Sequence, residues 1–113
     1  MSGIKILEET KRITIISFEE RLDAFNAPAA RKEIEAAVAQ GATNFVVNLR
    51  NVPFMDSAGV AVLVNLLKQS RQGGGDVKLV SPTNPTAMRI LKLTKFDRVF
   101  EMYETVAEAT GSF

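Results

Sequence analysis

Three patterns in the chain predict an α/β protein. Short β-branched segments alternate with longer stretches whose apolar residues recur at helical spacing, and turn formers mark nearly every junction. Such alternation implies strands that run mostly parallel, joined by right-handed crossovers. The expected order is ββαβαβα(β)α. It describes one domain over residues 1–113, with a mixed, mostly parallel sheet of four to five strands and about four helices.

Ile4 to Glu8 and Ile13 to Phe18 read as two strands around the polar turn Glu9-Thr10-Lys11-Arg12, with a hairpin as the economical connection. Asn26 is placed to cap a helix that tolerates Pro28 in its first turn. Ala27, Ala30, Ile34, Ala37 and Val38 share one face of that helix, and Gly41 stops it. Phe45 to Leu49 is nearly continuous in apolar residues, as a strand covered on both faces requires.

A connection with Pro53 follows, and helical spacing returns at Ser57 with Val60, Leu63, Val64 and Leu67 as the core stripe. Val62 and Leu66 fit either the core or an exposed patch. Gly73-Gly74-Gly75 ends this helix, and Val77 to Val80 is the next strand. Asn84 is set to cap a third helix anchored by Met88, Leu91 and Phe96. Val99 to Tyr103 reads as a last short strand, and Thr105-Val106-Ala107-Glu108 as a capping box opening a final helix.

Composition excludes much chemistry. There is no cysteine, hence no disulfide, thiolate nucleophile or thiolate metal site, and no histidine to serve as general base or ligand. A histidine-dependent triad or zinc hydrolase is therefore ruled out, and the expectation is a protein that is not an enzyme and needs no cofactor or metal. The net charge of +1 offers no global field for nucleic acid or anionic membrane. Lys68, Arg71, Lys78, Arg89, Lys92, Lys95 and Arg98 make the middle locally basic and read as solvated faces. The first residues are no signal peptide and no apolar run reaches membrane-spanning length, so a cytoplasmic protein without membrane insertion is expected.

The stretch Phe54-Met55-Asp56-Ser57-Ala58-Gly59-Val60 sets an acid, a hydroxyl and a glycine where a turn meets an apolar helix. Ser57 has two readings: a helix cap contributing about 1 kcal/mol, or a phosphorylation site at a helix N-terminus that stabilises phosphate. Asp56 is equally able to cap, and Val60 offers no capping-box partner, so the helix does not require Ser57. Ala58 and Gly59 are small enough to leave the hydroxyl reachable, and glycine in a first turn suggests close approach of another backbone. Asp23 reads as a turn-forming aspartate, functional only if its loop lies beside Ser57, as carboxyl ends of neighbouring parallel strands would allow. The glycine triplet follows a helix and precedes no Gly-Lys-Ser/Thr, so it is not a phosphate loop.

With these residues in place, the chain resembles STAS domains, and among them bacterial anti-sigma factor antagonists. The likeness covers almost the full length. It rests on Leu22-Asp23 before a helix, Val46-Val47-Asn48-Leu49, Phe54-Met55-Asp56-Ser57-Ala58-Gly59 and Val80-Ser81-Pro82. Glu20 departs from it, standing where many relatives have glycine, which bears on the turn before Asp23. The resemblance implies a phosphorylation-switched binding module. Its unphosphorylated form binds an ATP-binding anti-sigma factor serine kinase and frees a sigma factor; phosphate on Ser57 ends that binding, and a serine phosphatase restores it. Asp23, Asn26, Asp56, Ala58 and Gly59 would then meet the partner, with no direct contact to nucleic acid.

The alternative within the resemblance is a scaffold subunit of a stress-signalling or transporter complex. A two-component receiver with Asp56 as acceptor would need Mg²⁺ and an acidic cluster, for which only Glu19 and Glu20 offer themselves. A nucleotide hydrolase lacks its phosphate cradle, metal ligands and lysine.

Overall fold

The structure, a computed structural model, describes residues 12–113. Four strands form one sheet in the order β1 (Ile13–Ser17), β2 (Asn44–Asn48), β3 (Val77–Val80) and β4 (Glu101–Tyr103). All three pairings are parallel, in registers that set Ile15 beside Val46, Val46 beside Lys78 and Lys78 beside Glu101. The crossovers carry α1 (Ala27–Ala39), α2 (Ser57–Gln72) and α3 (Pro85–Leu93), and α4 (Val106–Gly111) closes the order. The α/β alternation is as the sequence predicts. The strand expected at Ile4 to Glu8, and the hairpin it would form, lie outside the described residues.

Period-two alternation divides the apolar residues between two layers. Phe45 and Val47 from the second strand, Leu49 just beyond it, and Val77 and Leu79 from the third bury against Ile34 of α1, Leu63 and Leu66 of α2 and Leu91 of α3. Val62 and Leu66, whose side the sequence left open, are both in this core. Val46 and Val80 point the other way and meet Ala109 of α4, flanked by Ile13, Tyr103, Val106 and Phe113. The central strand is thus covered on both faces, which explains its near-continuous apolar run.

Most helix ends follow their local signals. Asn84 accepts the Thr86 amide at 2.8 Å with Pro85 opening α3, and Thr105 Oγ1 accepts the Glu108 amide at 3.1 Å. Gly41 and Gly74 take φ of 92° and 83°, the left-handed geometry by which the chain leaves α1 and α2.

Three readings need correction. Asn26 does not cap α1 with its side chain; that group turns back into the preceding loop. Phe96 does not belong to α3, because Lys95 at φ 61° ends it. A 3₁₀ turn over Phe96–Arg98 follows, and the amides of Val99 and Phe100 bond to Phe96 O, which delays β4 to Glu101. Lys78 is not on a solvated face: it lies in β3 and is only 6% exposed.

Its ammonium pairs with Glu101 at 2.6 Å, donates to Ser112 O at 3.2 Å, and faces the rings of Phe113 (4.8 Å) and Tyr103 (5.8 Å). Burial pulls the Lys78 pKa down, but the hydrogen bond and charge of Glu101 outweigh it and leave the group above its ordinary 10.5. Glu101 is held below its ordinary 4.5, first by the Lys78 hydrogen bond and next by that of Tyr103. This cluster fastens the C-terminal end of α4 to the sheet.

Candidate functional site

The loop between β2 and α2 is fixed from below by Leu49, Val52 and Met55, all buried. Asp56 follows in extended backbone (φ −118°, ψ −174°), which folds its carboxylate back over the first turn of α2. Its Oδ1 accepts the Gly59 amide at 3.0 Å, while its carbonyl accepts the Val60 amide at 3.1 Å. Asp56 is therefore the N-cap and Ser57 the first helical residue. Ser57 is exposed, Ala58 half-buried and Gly59 buried.

The chain leaving β1 lies alongside. Leu22 and Met55 form an isolated parallel bridge: the Leu22 amide donates to Phe54 O at 3.0 Å, and the Asp56 amide to Leu22 O at 3.4 Å. Asp56 Oδ2 accepts the Ala24 amide at 3.1 Å, so one carboxylate spans both loops. Gly59 is what admits this approach. A Cβ there would stand 2.8 Å from the Leu22 carbonyl carbon and nearer still to its oxygen. The close backbone that the first-turn glycine suggests is Leu22.

Asp23 and Asn26 organise the Leu22 loop. The Asp23 carboxylate is turned inward, with the residue 5% exposed; it accepts the Phe25 amide at 2.9 Å and pairs with Arg21 Nε at 3.0 Å. Asn26 Oδ1 accepts the Asp23 amide at 2.9 Å, and its Nδ2 donates to Arg21 O. The turn-forming reading of Asp23 describes this geometry. What the loop offers outward is Phe25, 85% exposed, with the Arg21 guanidinium 5.1 Å from its ring centroid. Phe54, 42% exposed, lies on the neighbouring segment.

All six residues singled out in the sequence thus fall at the carboxyl ends of β1 and β2: Asp23 and Asn26 on the loop after β1, and Asp56, Ser57, Ala58 and Gly59 at the cap and first turn of α2 beside it. Sequence reasoning passed over Arg21 and Phe25. Their signal was available: an aromatic inside a turn-forming stretch, off the apolar face of α1, is not there to fill the core.

The carboxylates around Ser57 are already engaged. Both Asp56 oxygens are engaged by amides, and Glu19 accepts from Asn51 Nδ2 at 3.1 Å. Among the described residues no three acidic side chains are grouped to hold a metal ion, and no helix is long and apolar enough to cross a membrane.

Residues 5–109 match the STAS domain family. A Thermotoga maritima protein named as an anti-sigma factor antagonist is 33% identical over 110 residues, covering 96% of this chain and 94% of that one. A crystal structure of such an antagonist from the same organism superposes with a TM-score of 0.82 at 32% identity, over 88% of this chain and 86% of that one. The unphosphorylated form of the anti-sigma factor antagonist SpoIIAA gives a TM-score of 0.70 at 26% identity, covering 96% and 94% of the two chains. The phosphorylated form of Bacillus SpoIIAA shares the fold, with a TM-score of 0.69 at 24% identity and 96% of each chain covered.

Proposed function

The chain belongs to the STAS family, and from that premise we propose that it acts as a single-domain anti-sigma factor antagonist whose binding is switched at Ser57. In this reading it is a binding module and not an enzyme. Its unphosphorylated form binds an ATP-using anti-sigma factor serine kinase in the cytoplasm, and a sigma factor is released. The kinase phosphorylates Ser57, the complex separates, and a serine phosphatase resets the cycle. One observation carries the proposal: Ser57 stands exposed at the first position of α2 while Asp56 does the capping. The hydroxyl is free to be offered because the helix does not need it.

Charge supplies the switch. Phosphorylation adds roughly two negative charges and three acceptor oxygens in a contact fitted to a neutral hydroxyl. Asp56, the adjoining carboxylate, opposes that dianion once water is excluded. The charge of Asp23 is balanced by Arg21, so its part lies in holding the loop. Ala58 and Gly59 keep the approach low, and Asn26 braces the neighbouring turn. A coupling of about 3 kcal/mol changes affinity by more than a hundredfold, enough without refolding.

Intact-mass analysis after incubation with ATP and each purified anti-sigma factor from the same genome tests this. The parent gains one phosphate, Ser57→Ala gains none, and Ser57→Asp loses affinity for the same kinase. A scaffold role predicts binding without any mass change. Tight binding of Ser57→Asp, equal to the parent, would defeat the electrostatic switch.

A further inference from the structure

Beside Ser57 the molecule displays an ordered aromatic that the switch itself does not use. We propose that the Arg21–Phe25 pair is the docking anchor for the partner protein, and that it enters an apolar socket with a carboxylate at its rim. This rests on the reading that Ser57 is offered to a docking kinase.

Isolated exposed apolar side chains are ordinary on protein surfaces. Phe25 differs in being held. Its loop is tied by the Phe25 amide to Asp23, the Asp23 amide to Asn26, the Ala24 amide to Asp56, and the Asn26 amide group to Arg21 O. Little ordering remains to be done on binding, which is what distinguishes an anchor from a loose surface ring. Leu93 and Val99 are also exposed, at 67% and 45%, but lie at the C-terminal end of α3 and beyond the turn that follows it, and Ile15, at 50%, lies in the middle of β1.

The partner's chemistry follows from the guanidinium. Stacked 5.1 Å from the Phe25 centroid, it is carried towards any surface that covers the ring. Of its five N–H donors, Nε is engaged by Asp23. Burying the ring would strip water from the outer donors, so the covering surface must supply acceptors. A carboxylate matches the fork in both geometry and charge. Phe54 is also exposed, on the segment that the Leu22 amide ties to this loop. Aromatic and arginine side chains of this kind carry much of the energy in protein interfaces.

The test measures Kd and the rate of Ser57 phosphorylation, with each purified anti-sigma factor from the same genome and ATP. Phe25→Ala is expected to weaken binding about thirtyfold, leaving the phosphorylation rate at saturating partner unchanged. Phe25→Leu retains part of the affinity, and protection of the Ala24 amide confirms that the loop keeps its form. Arg21→Gln, with the Ala24 amide still protected to show that the loop survives loss of the Asp23 pair, weakens binding and flattens its salt dependence, whereas Arg21→Lys restores the salt dependence but not the full affinity. Parent-like affinity of Phe25→Ala, with Ser57 still phosphorylated, overturns the anchor and leaves the switch standing. A parent that no anti-sigma factor binds or phosphorylates overturns the switch, and the anchor with it.

Discussion

Gly59→Ala sets two physical effects against each other, and the structure decides between them. Gly59 lies in the first turn of α2 and is not among the glycines at positive φ, so alanine fits its backbone. Helix propensity alone then predicts that alanine stabilises by up to about 1 kcal/mol. Against this, the new methyl would sit 2.8 Å from the Leu22 carbonyl carbon and closer to its oxygen, where only backbone could yield. Moving Leu22 away strains three hydrogen bonds: Leu22 to Phe54, Asp56 to Leu22 and Ala24 to Asp56. At about 1 kcal/mol each, their loss exceeds the propensity gain and leaves a net cost of about 2 kcal/mol. A domain of this size should melt about 8 °C lower. Thermal and urea denaturation measure the cost, and amide exchange at Leu22 and Ala24 locates it. An alanine variant that melts above the parent with both amides still protected refutes the steric reasoning.

Three further substitutions probe charges that the structure ties down. Asp56→Asn keeps one carbonyl oxygen for the Gly59 amide but turns an NH₂ towards the Ala24 amide; Ala24 should exchange about fivefold faster or more while Gly59 keeps its protection. Loss of protection at both would mean that the carboxylate charge, not its second oxygen, holds the loops. Glu101 has its folded pKa below 4.5, so its contribution is present above that value and lost as pH falls through the lowered one. Lys78 has its pKa raised above 10.5, and its contribution disappears only as pH climbs through that raised value. Glu101→Gln should therefore be less stable than the parent at neutral pH, with the gap closing on acidification. Lys78→Met, which removes the buried charge as well, should stay closer to the parent; a larger loss than for Glu101→Gln would contradict this account.

What the sequence revealed depends on how far away the deciding atoms lie. The caps at Asp56, Asn84 and Thr105 are legible because each bonds an amide two or three residues on. The buried run Phe45 to Leu49 is legible because it needs no partner to be read. Asn26 misleads, since a cap and a backward turn use the same side chain, and the choice is settled by Asp23 and Arg21 together. Lys78 misleads more, because its partners at Glu101, Tyr103 and Phe113 come from elements folded over it much later in the chain. At the site itself the residue types were legible but not their directions. That Asp23 faces inward and Phe25 outward follows from Arg21, which pairs with one and stacks on the other.

The same geometry bears on where a phosphate at Ser57 would act. On the free chain it would meet the N-terminus of α2, whose dipole favours an anion by about 0.3–1 kcal/mol. Asp56 already caps that end and would stand next to the phosphate. A dianion and a carboxylate about 5 Å apart in water repel by about 1.7 kcal/mol, cut to about 1 kcal/mol by physiological salt. The two terms then nearly cancel, and the exposed group keeps its water, so the modified chain should fold as the parent does. That balance fails when a partner covers the site. Removing water strengthens the repulsion and adds a desolvation cost the helix dipole cannot offset. Under the proposed switch, an exposed Ser57 beside a capping aspartate would confine the effect of phosphate to the complex, so that one hydroxyl would govern binding while stability is left alone.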